Sequence, residues 1–190
     1  MNHFPSWPTA AFIIGLVSIG TQAGAADWQV DTAKSSLGFS GIQTGKTFEG
    51  HFARYNATIS LDPDHPEAAH VVVDVDLGSA ETGDRQRDTA LPGRDWFDVA
   101  QFPRAIFSST EIHKTGENSY DAVGSLNLRG VSKPVTLSFT LNVDGATAHA
   151  KGHTTLFRSA FGIGQGPWAT GQWVALDVDV SFDIIANSVR

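Results

Sequence analysis

The sequence contains no cysteine among its 190 residues. Disulfide cross-links, CxxC redox chemistry and thiolate metal sites are therefore excluded, and an apolar core must hold the fold together. Basic residues are also few, since 13 Lys and Arg stand against 20 Asp and Glu and leave a net charge of −7. A protein of this charge offers little to the phosphates of a nucleic acid, so we expect no nucleic-acid partner.

Residues 1–26 contain no Asp, Glu, Lys or Arg. Their apolar stretch, residues 10–19, is too short for a membrane-spanning helix, which needs about 20 residues. The small residues Ala23-Gly24-Ala25-Ala26 follow it, which predicts a signal peptide cleaved near Ala25 or Ala26, although no Lys or Arg precedes the apolar stretch. An uncleaved anchor or a buried apolar helix is the alternative. We expect residues 27–190 to form one exported domain.

Apolar and polar residues alternate through much of the remaining chain. The clearest runs are residues 71–77, 135–143 and 174–184, where polar residues occupy most of the positions between the apolar ones. Because successive side chains of a strand point to opposite faces, each run has one apolar and one wet face. Weaker runs of the same kind are residues 28–31, 36–42, 48–61, 105–113, 120–128 and 146–157.

Turn residues separate these runs at 62–64, 115–116, 129–130 and 144–145. This order predicts eight or nine antiparallel strands in a barrel or a sandwich. The runs 48–61 and 174–186 are long compared with a usual strand of about 5–6 residues. Long strands with one apolar face favour a barrel, which has no exposed sheet edge. We therefore predict an all-β, up-and-down barrel of about eight strands, whose interior is either filled or holds one elongated ligand.

Two stretches depart from the alternation. Residues 82–91 predict a short helix, with Thr82 as its cap and Pro92-Gly93 as its end, and another helical turn is expected near residues 96–101. Residues 162–166 read Gly-x-Gly-x-Gly but lack the strand and helix that surround a dinucleotide-binding loop. They predict a flexible loop between two strands.

Three groups of motifs follow one another at characteristic spacing. They are Thr82-Gly83, Arg87-Asp88-x-x-Leu91, Phe97-Asp98, Phe102-Pro103 and Phe107-Ser108-Ser109; then Gly124-x-Leu126-x-Leu128-Arg129-Gly130-Val131-x-Lys133-Pro134-Val135; then Arg158-x-x-Phe161-Gly162. In this order they resemble the YceI-like family of periplasmic, lipocalin-like, polyisoprenoid-binding proteins, over nearly all of residues 27–190. The chain departs from the family at Lys34-Ser35, where many members have His-Ser, so no role of a histidine is carried over.

The resemblance implies a lipocalin-like barrel with a short helix over its mouth and an isoprenoid lipid, of polyprenyl or quinone type, inside. Residues 162–168 resemble a subgroup that occurs with cytochrome b561-type membrane proteins, which implies such a cytochrome as a partner. The predicted lid residues are Leu91, Trp96 and Phe97. The apolar strand faces predict the cavity residues Phe39, Phe52, Val73, Val75, Phe107, Leu126, Leu137, Phe139, Val178 and Phe182.

Arg87 and Asp88 are candidates to hold a polar headgroup. The alternative is a salt bridge that pins the helix over the mouth, and adjacent surface charges favour this alternative. Arg158, at the end of the cavity, is a third candidate.

Nothing in the sequence supports catalysis, because it has no G-x-S-x-G motif and no cysteine nucleophile. We expect a binding protein. An enzyme that modifies a lipid or quinone through Arg158, and an accessory protein that docks on a membrane cytochrome, stay as alternatives. The histidines lack H-E-x-x-H spacing, so we expect no metal and no cofactor apart from a bound isoprenoid lipid or quinone. The sequence does not decide whether the protein is a monomer or a homodimer.

Overall fold

A computed structural model describes residues 26–62 and 65–189, which form eleven strands and one short α-helix. The predicted signal peptide lies outside the described residues, apart from Ala26. The helix α1 is Arg85–Ala90. The strands are β1 (Ala26–Val30), β2 (Ser36–Gln43), β3 (Lys46–Phe52), β4 (Tyr55–Leu61), β5 (His70–Asp76), β6 (Ala80–Glu81), β7 (Arg104–Lys114), β8 (Ser119–Leu128), β9 (Val131–Asp144), β10 (Thr147–Phe157) and β11 (Asp177–Val189).

The strands form a closed antiparallel barrel. Their order is β1-β4-β5-β7-β8-β9-β10-β11, and β1 pairs with β11 to close the ring. The closed barrel of eight strands confirms the fold predicted from the alternation. Closure leaves none of these eight strands as a free edge, which removes a common route to aggregation.

Three of the eight barrel positions are built from two strands each. The C-terminal part of β11 pairs with β1 and its N-terminal part with β2, so β1 and β2 follow one another along the same neighbour. In the same way β4 pairs with β1 while β3 pairs with β2, and β6 continues the position of β5 beside β3.

The sequence prediction of one strand over residues 48–61 is therefore wrong. Ala53 and Arg54 interrupt it, and their backbone N–H groups donate to the carbonyl and the hydroxyl of Ser79, each at 3.0 Å. The run predicted from residue 174 also begins later, because Val174 forms only an isolated bridge with Gln43. The strand ladder of β11 starts at Asp177.

The helix is shorter than predicted and has a different cap. Asp84, not Thr82, is the N-cap, and its carboxylate accepts from the N–H groups of Gln86 and Arg87. An aspartate at this place satisfies helix donors that have no partner within the helix. Residues 96–101 form turns and no helix. None of the helices in the described ranges combines the length and the apolar character that crossing a membrane requires.

The alternation of the sequence appears directly in the barrel wall. In β9, Val135, Leu137 and Phe139 are half-buried, while Thr136 and Ser138 are exposed. Buried residues form two clusters, one near each end of the barrel. We call the end where α1, residues 91–103 and residues 158–176 meet the mouth, and the opposite end the base. Leu77, Phe97, Phe161 and Ile163 belong to the mouth cluster, and Trp28, Leu61, Ile112 and Leu141 to the base cluster.

Candidate ligand-binding cavity

A cavity of about 290 Å³ occupies the barrel interior. Residues of both clusters line it, including Trp28 and Leu141 from the base and Phe97 and Phe161 from the mouth, so it runs along the barrel. Its volume is close to the lower limit for small-molecule pockets, which is about 300 Å³. The barrel is therefore hollow, which the composition left undecided.

Small side chains at inward positions leave this space open. Gly41, Ala57, Ala122, Ala150 and Ala186 all line the cavity. A leucine or phenylalanine at such a position would fill part of the interior, as happens in barrels whose core is solid. The hollow interior thus follows from which inward positions carry small residues, and the total number of aromatic residues does not decide it.

Every residue that the sequence predicted to face the cavity lies in its lining. Leu91, Trp96 and Phe97 line it at the mouth. Their contact with a ligand stays a prediction. The predicted cavity residues on strands, all of which line the cavity, are Phe39, Phe52, Val73, Val75, Phe107, Leu126, Leu137, Phe139, Val178 and Phe182.

The sequence missed a second set of lining residues because the break in the strand shifts the alternation. Phe48 and Phe52 in β3 line the cavity at even-numbered positions, and Tyr55 and Ile59 in β4 line it at odd-numbered ones. A period of two continued from Phe52 places Tyr55 on the outside. The signal that could have revealed the shift is the polar residue Arg54, which interrupts the run.

Tyr55 adds a polar atom to this apolar wall. Its phenolic oxygen is buried and has no hydrogen-bond partner among the described residues. Removal of the side chain from water raises the pKa of the phenol, so it stays protonated. Trp28 is another missed lining residue, but its indole N–H is satisfied by the carbonyl of Leu61 at 3.1 Å.

Aromatic rings form two groups along the cavity. Near the mouth, the ring centroids of Phe39 and Phe52 are 5.1 Å apart, and those of Phe52 and Phe97 are 6.2 Å apart. Such tilted contacts are favourable beyond the burial of apolar area. The second group is Tyr120, Phe139 and Phe182, with centroid separations of 5.6 and 6.4 Å.

Among the described residues that line the cavity, Arg158 alone carries a charge. It is 3% exposed and lies at the mouth, where its guanidinium carbon is 5.4 Å from the centre of the Trp96 ring. All its hydrogen bonds go to backbone carbonyls of the connection between β10 and β11. The acceptors are Ala175 (2.8 Å), Ile163 (2.8 Å), Gly164 (3.3 Å), Trp168 (2.7 Å) and Val174 (2.6 Å).

The connection from Arg158 to Leu176 is folded around this guanidinium. The predicted loop of residues 162–166 lies between two strands as expected, and the carbonyls of Ile163 and Gly164 within it accept hydrogen bonds from the guanidinium. Its flexibility stays a prediction. Gly164 has a φ of +77°, and a Cβ there would overlap Nη1 of Arg158. The second glycine of the Gly-x-Gly-x-Gly run therefore gives the guanidinium room, a role unrelated to nucleotide binding.

Burial lowers the pKa of Arg158, because removal from water disfavours the charged form. An arginine nevertheless keeps its proton in proteins. Carbonyl dipoles surround its guanidinium, and none of the carboxylates in the described part of the chain forms an ion pair with it. A fixed positive charge thus stands at the mouth end of an otherwise apolar cavity.

The structure does not bring Arg87 and Asp88 to the cavity. Asp88 accepts from both the N–H and the hydroxyl of Thr82, at 2.8 and 2.7 Å. Arg87 donates to the hydroxyl of Thr82 and to Oε1 of Gln43, and lies 4.7 Å from the ring centre of Phe48. Arg87 and Asp88 therefore hold the helix in place, which is the alternative to headgroup binding given above. They do so through contacts with Thr82, Gln43 and Phe48 and not through an Arg87–Asp88 pair.

Comparison with known proteins agrees with this architecture. A YceI-like domain matches residues 28–186. The chain is 36% identical to a UPF0312 protein of Pseudomonas savastanoi pv. phaseolicola, over 92% of this chain and 94% of that protein. A UPF0312 protein of Pseudomonas putida (strain W619) is also 36% identical, over 90% of this chain and 94% of that protein.

Two solved structures share the fold. BcnA of Burkholderia cenocepacia superposes with a TM-score of 0.80 at 32% identity, covering 83% of this chain and 99% of BcnA. A polyisoprenoid-binding domain from Saccharophagus degradans, implicated in plant cell wall breakdown, gives a TM-score of 0.68 at 16% identity, over 86% of this chain and 99% of that domain. From the closed barrel, the matched domain and these relatives, we conclude that the chain belongs to the YceI-like family.

Proposed function

We propose that this protein binds an isoprenoid lipid of polyprenyl or quinone type inside the barrel and sequesters or carries it in the periplasm. The observation that carries the proposal is the cavity, a hollow of about 290 Å³ lined by apolar side chains with one charge at its mouth end. Membership of the YceI-like family supports it, and a domain of the same fold is described as polyisoprenoid-binding.

The cavity favours a hydrocarbon chain for a simple energetic reason. Each Å² of apolar surface that leaves water for an apolar lining gains about 25 cal/mol. A polar ligand gains nothing comparable, because the lining offers few polar groups to replace its bonds to water. The branched tail of an isoprenoid lipid therefore fits the chemistry of this interior.

Arg158 suggests where the headgroup lies. Its N–H groups already donate to carbonyls, so its contribution is its positive charge and not a free donor. In a site shielded from water, that charge acts on a ligand more strongly than it would in solution. A headgroup with negative or electron-rich oxygens is favoured at this end, and a cationic headgroup is repelled.

We propose binding without catalysis. The guanidinium of Arg158 holds its proton and is not suited to general acid or base work. The other charged candidates, Arg87 and Asp88, are engaged in hydrogen bonds outside the cavity.

The direct test is to purify the protein from its native host, extract it with organic solvent and identify the extract by mass spectrometry. We expect an isoprenoid lipid in nearly stoichiometric amount. Protein that comes from the host without lipid, and that also fails to take up polyprenols or polyprenyl quinones in vitro, would overturn the proposal.

The headgroup assignment has its own test. Three ligands with the same prenyl chain are compared, one ending in a quinone, one in a phosphate and one in an ammonium group. We expect the ammonium ligand to bind at least about tenfold more weakly than the quinone, a difference of about 1.4 kcal/mol. Equal affinities for all three would place the headgroup away from Arg158.

A further inference from the structure

Three exposed apolar side chains form a patch on the outer rim of the mouth. Phe157, Trp173 and Ile42 are 59%, 50% and 48% exposed, respectively. Their backbones are close, since the N–H of Ala175 donates to the carbonyl of Ile42 and the N–H of Thr44 to that of Trp173, both at 2.8 Å. Phe157 is the last residue of β10 and pairs with Asp177 of β11, whose exposed carboxylate lies beside these apolar side chains. We call these three residues the rim patch.

The rim patch lies on the outer face of the strands and loop whose inner face lines the cavity. The sequence neighbours of its members, Gly41, Leu156 and Val174, face inward and line the cavity. At this part of the mouth, apolar surface outside the barrel and apolar surface inside it are therefore separated only by the backbone. Exposed aromatic residues at such a place are unusual, because soluble proteins keep large apolar patches out of water.

Within residues 26–62 and 65–189, exposed charges are distributed unevenly between the mouth and the base. Exposed basic residues at the mouth are Lys46, Arg85, Arg94, Arg104 and Lys133, against exposed acidic Glu81, Asp95 and Asp177. Among the described residues at the base, Asp27, Glu67, Glu111, Glu117 and Asp144 are exposed, against exposed basic Lys34 and Lys114. An anionic surface therefore repels the base more than the mouth.

We propose that the rim patch docks on the interfacial region of a lipid bilayer, so that the ligand passes between membrane and cavity without crossing water. This inference rests on the proposed lipid-binding function and adds the surface through which the lipid is exchanged. Tryptophan is suited to this position because its amphipathic ring collects at the boundary between headgroups and hydrocarbon. Phenylalanine is suited to it because its apolar ring inserts below that boundary.

The size of the patch favours a bilayer over a protein partner. An ordinary protein interface buries about 800 Å² on each side. A fully buried aromatic side chain contributes about 150–250 Å², so three half-exposed side chains fall short of that area. A bilayer needs no matching partner surface, and shallow insertion of two rings suffices for reversible contact.

The experiment measures flotation of the full protein with vesicles of phosphatidylethanolamine and phosphatidylglycerol, and with neutral vesicles of phosphatidylcholine. The test variant is Phe157→Ser with Trp173→Ser. The matched control is Val143→Ser with Val189→Ser, which removes apolar side chains that are 38% and 53% exposed at the base. We expect the test variant to lose at least about tenfold in vesicle-bound fraction, with the control unchanged. Neutral vesicles should bind at least as well as anionic ones at low salt, because the whole chain carries a net charge of −7.

A second measurement separates docking from ligand binding. A long-chain polyprenyl quinone is supplied either in vesicles or in detergent. We expect the test variant to take up the quinone from vesicles at least about tenfold more slowly than the wild type, and to bind it from detergent with unchanged affinity, because neither substituted residue lines the cavity.

Each of the other outcomes contradicts either membrane docking or the proposed lipid binding. Wild-type protein that binds quinone from detergent but floats with neither kind of vesicle contradicts docking and leaves the proposed function standing. Failure to bind quinone from either source contradicts the proposed function, and flotation then tests the rim patch alone. If light scattering shows a dimer for the wild type and a monomer for the test variant, the rim patch serves self-association, and membrane docking is overturned.

Discussion

Individual serines hold the barrel together where its strand pairing is interrupted. At the break between β1 and β2, the hydroxyl of Ser35 donates to the carbonyl of Asp31 and accepts from the N–H of Ile185. At the register shift in β7, the hydroxyl of Ser109 accepts from the N–H of Val71 at 2.9 Å. Buried backbone groups must find such partners, because an unsatisfied N–H is costly in the interior.

Ser79 offers the clearest test of this role. Its hydroxyl accepts from the N–H of Arg54 at 3.0 Å and donates to the carbonyl of Asp76 at 2.7 Å, and the residue is 2% exposed. We expect Ser79→Ala to lower the free energy of unfolding by about 1–3 kcal/mol, since both backbone groups lose a partner. Denaturation with urea measures this. Ser125→Ala, at an exposed position of β8, serves as control and is expected to change stability by less than about 0.5 kcal/mol.

A second residue prediction concerns the ligand. Phe139 lines the cavity, and Thr136 lies on the outer face of the same strand. We expect Phe139→Gln to weaken binding of a prenyl lipid by roughly ten- to a thousandfold, through lost apolar contact and a desolvated amide. Thr136→Gln is expected to leave the affinity unchanged. Equal affinities for the two variants, at equal folded fraction by circular dichroism, would show that Phe139 does not contact the ligand.

At the scale of elements, two segments at the mouth depend on arginines. The helix α1 has six residues, far fewer than the roughly 12–15 that an isolated helix needs in water. It is held by its Asp84 cap and by Arg87, which reaches Gln43 in β2 and Phe48 in β3. The connection from β10 to β11 is organised in the same way, by Arg158.

Arg87 therefore controls how firmly α1 covers the mouth. Leu91, directly after the helix, lines the cavity, so a loosened helix opens the ligand's path. We expect Arg87→Gln to speed ligand dissociation by about tenfold, equivalent to about 1.4 kcal/mol, and to speed amide exchange at Asp88 and Leu91. Arg85→Gln, on the exposed face of the same helix, is the control. Unchanged dissociation in Arg87→Gln would mean that the ligand leaves by another route.

The bounds and faces of a strand or helix could be predicted where the local sequence pattern determines them. They could not be predicted where contacts between distant residues determine them. Residues 135–143 alternate strictly and lie within a strand, with the expected faces as far as Leu141, whereas Val143 is exposed. Nothing local in residues 48–61 shows that Ala53 and Arg54 bond to Ser79, which lies 25 residues beyond Arg54. The helix cap was missed because Thr82 and Asp84 are both good caps, and Thr82 is bound to Asp88 instead.

For the whole molecule, acidic side chains that accept hydrogen bonds from Arg54 and His149 link stability to pH. Arg54 donates to Asp76 at 2.8 Å, and this hydrogen bond holds the pKa of that carboxyl below its ordinary value of 3.8. A hydrogen bond from His149 lowers the pKa of Asp183 in the same direction. Folding therefore favours the charged carboxylates, so their contribution is complete above the ordinary pKa and is lost as the pH falls through the lowered one.

We expect the urea midpoint to fall between about pH 5 and pH 3, where these carboxyls take up protons. Asp76→Asn should lose less stability than the wild type over the same interval, because its side chain has no proton to gain. Urea titrations at both pH values measure the difference. An equal fall in the variant and the wild type would assign the acid sensitivity to other groups.

The fold could be predicted from sequence at this scale, and the inward faces along with it, because one period of two runs through most of the chain. The hollow interior could not. It depends on which inward residues meet across the barrel, and small residues such as Ala122 and Ala186 come from strands far apart in the chain. The acceptors of Arg158 could not be predicted either, since they lie in the connection between β10 and β11, whose two short 3₁₀ helices, Arg158–Phe161 and Gly166–Trp168, the alternation does not show.

The pairing of β1 with β11 has a consequence for the order of folding. This pairing joins segments from opposite ends of the described chain, and the nearby bond between Ser35 and Ile185 spans 150 residues. Contacts so distant in sequence form late and slowly, because a long loop must close first. The β7–β8 and β8–β9 hairpins can form early from local contacts, but they enclose nothing. The cavity comes into existence only when the last strand docks, so we expect specific retention of an apolar ligand to require the closed barrel.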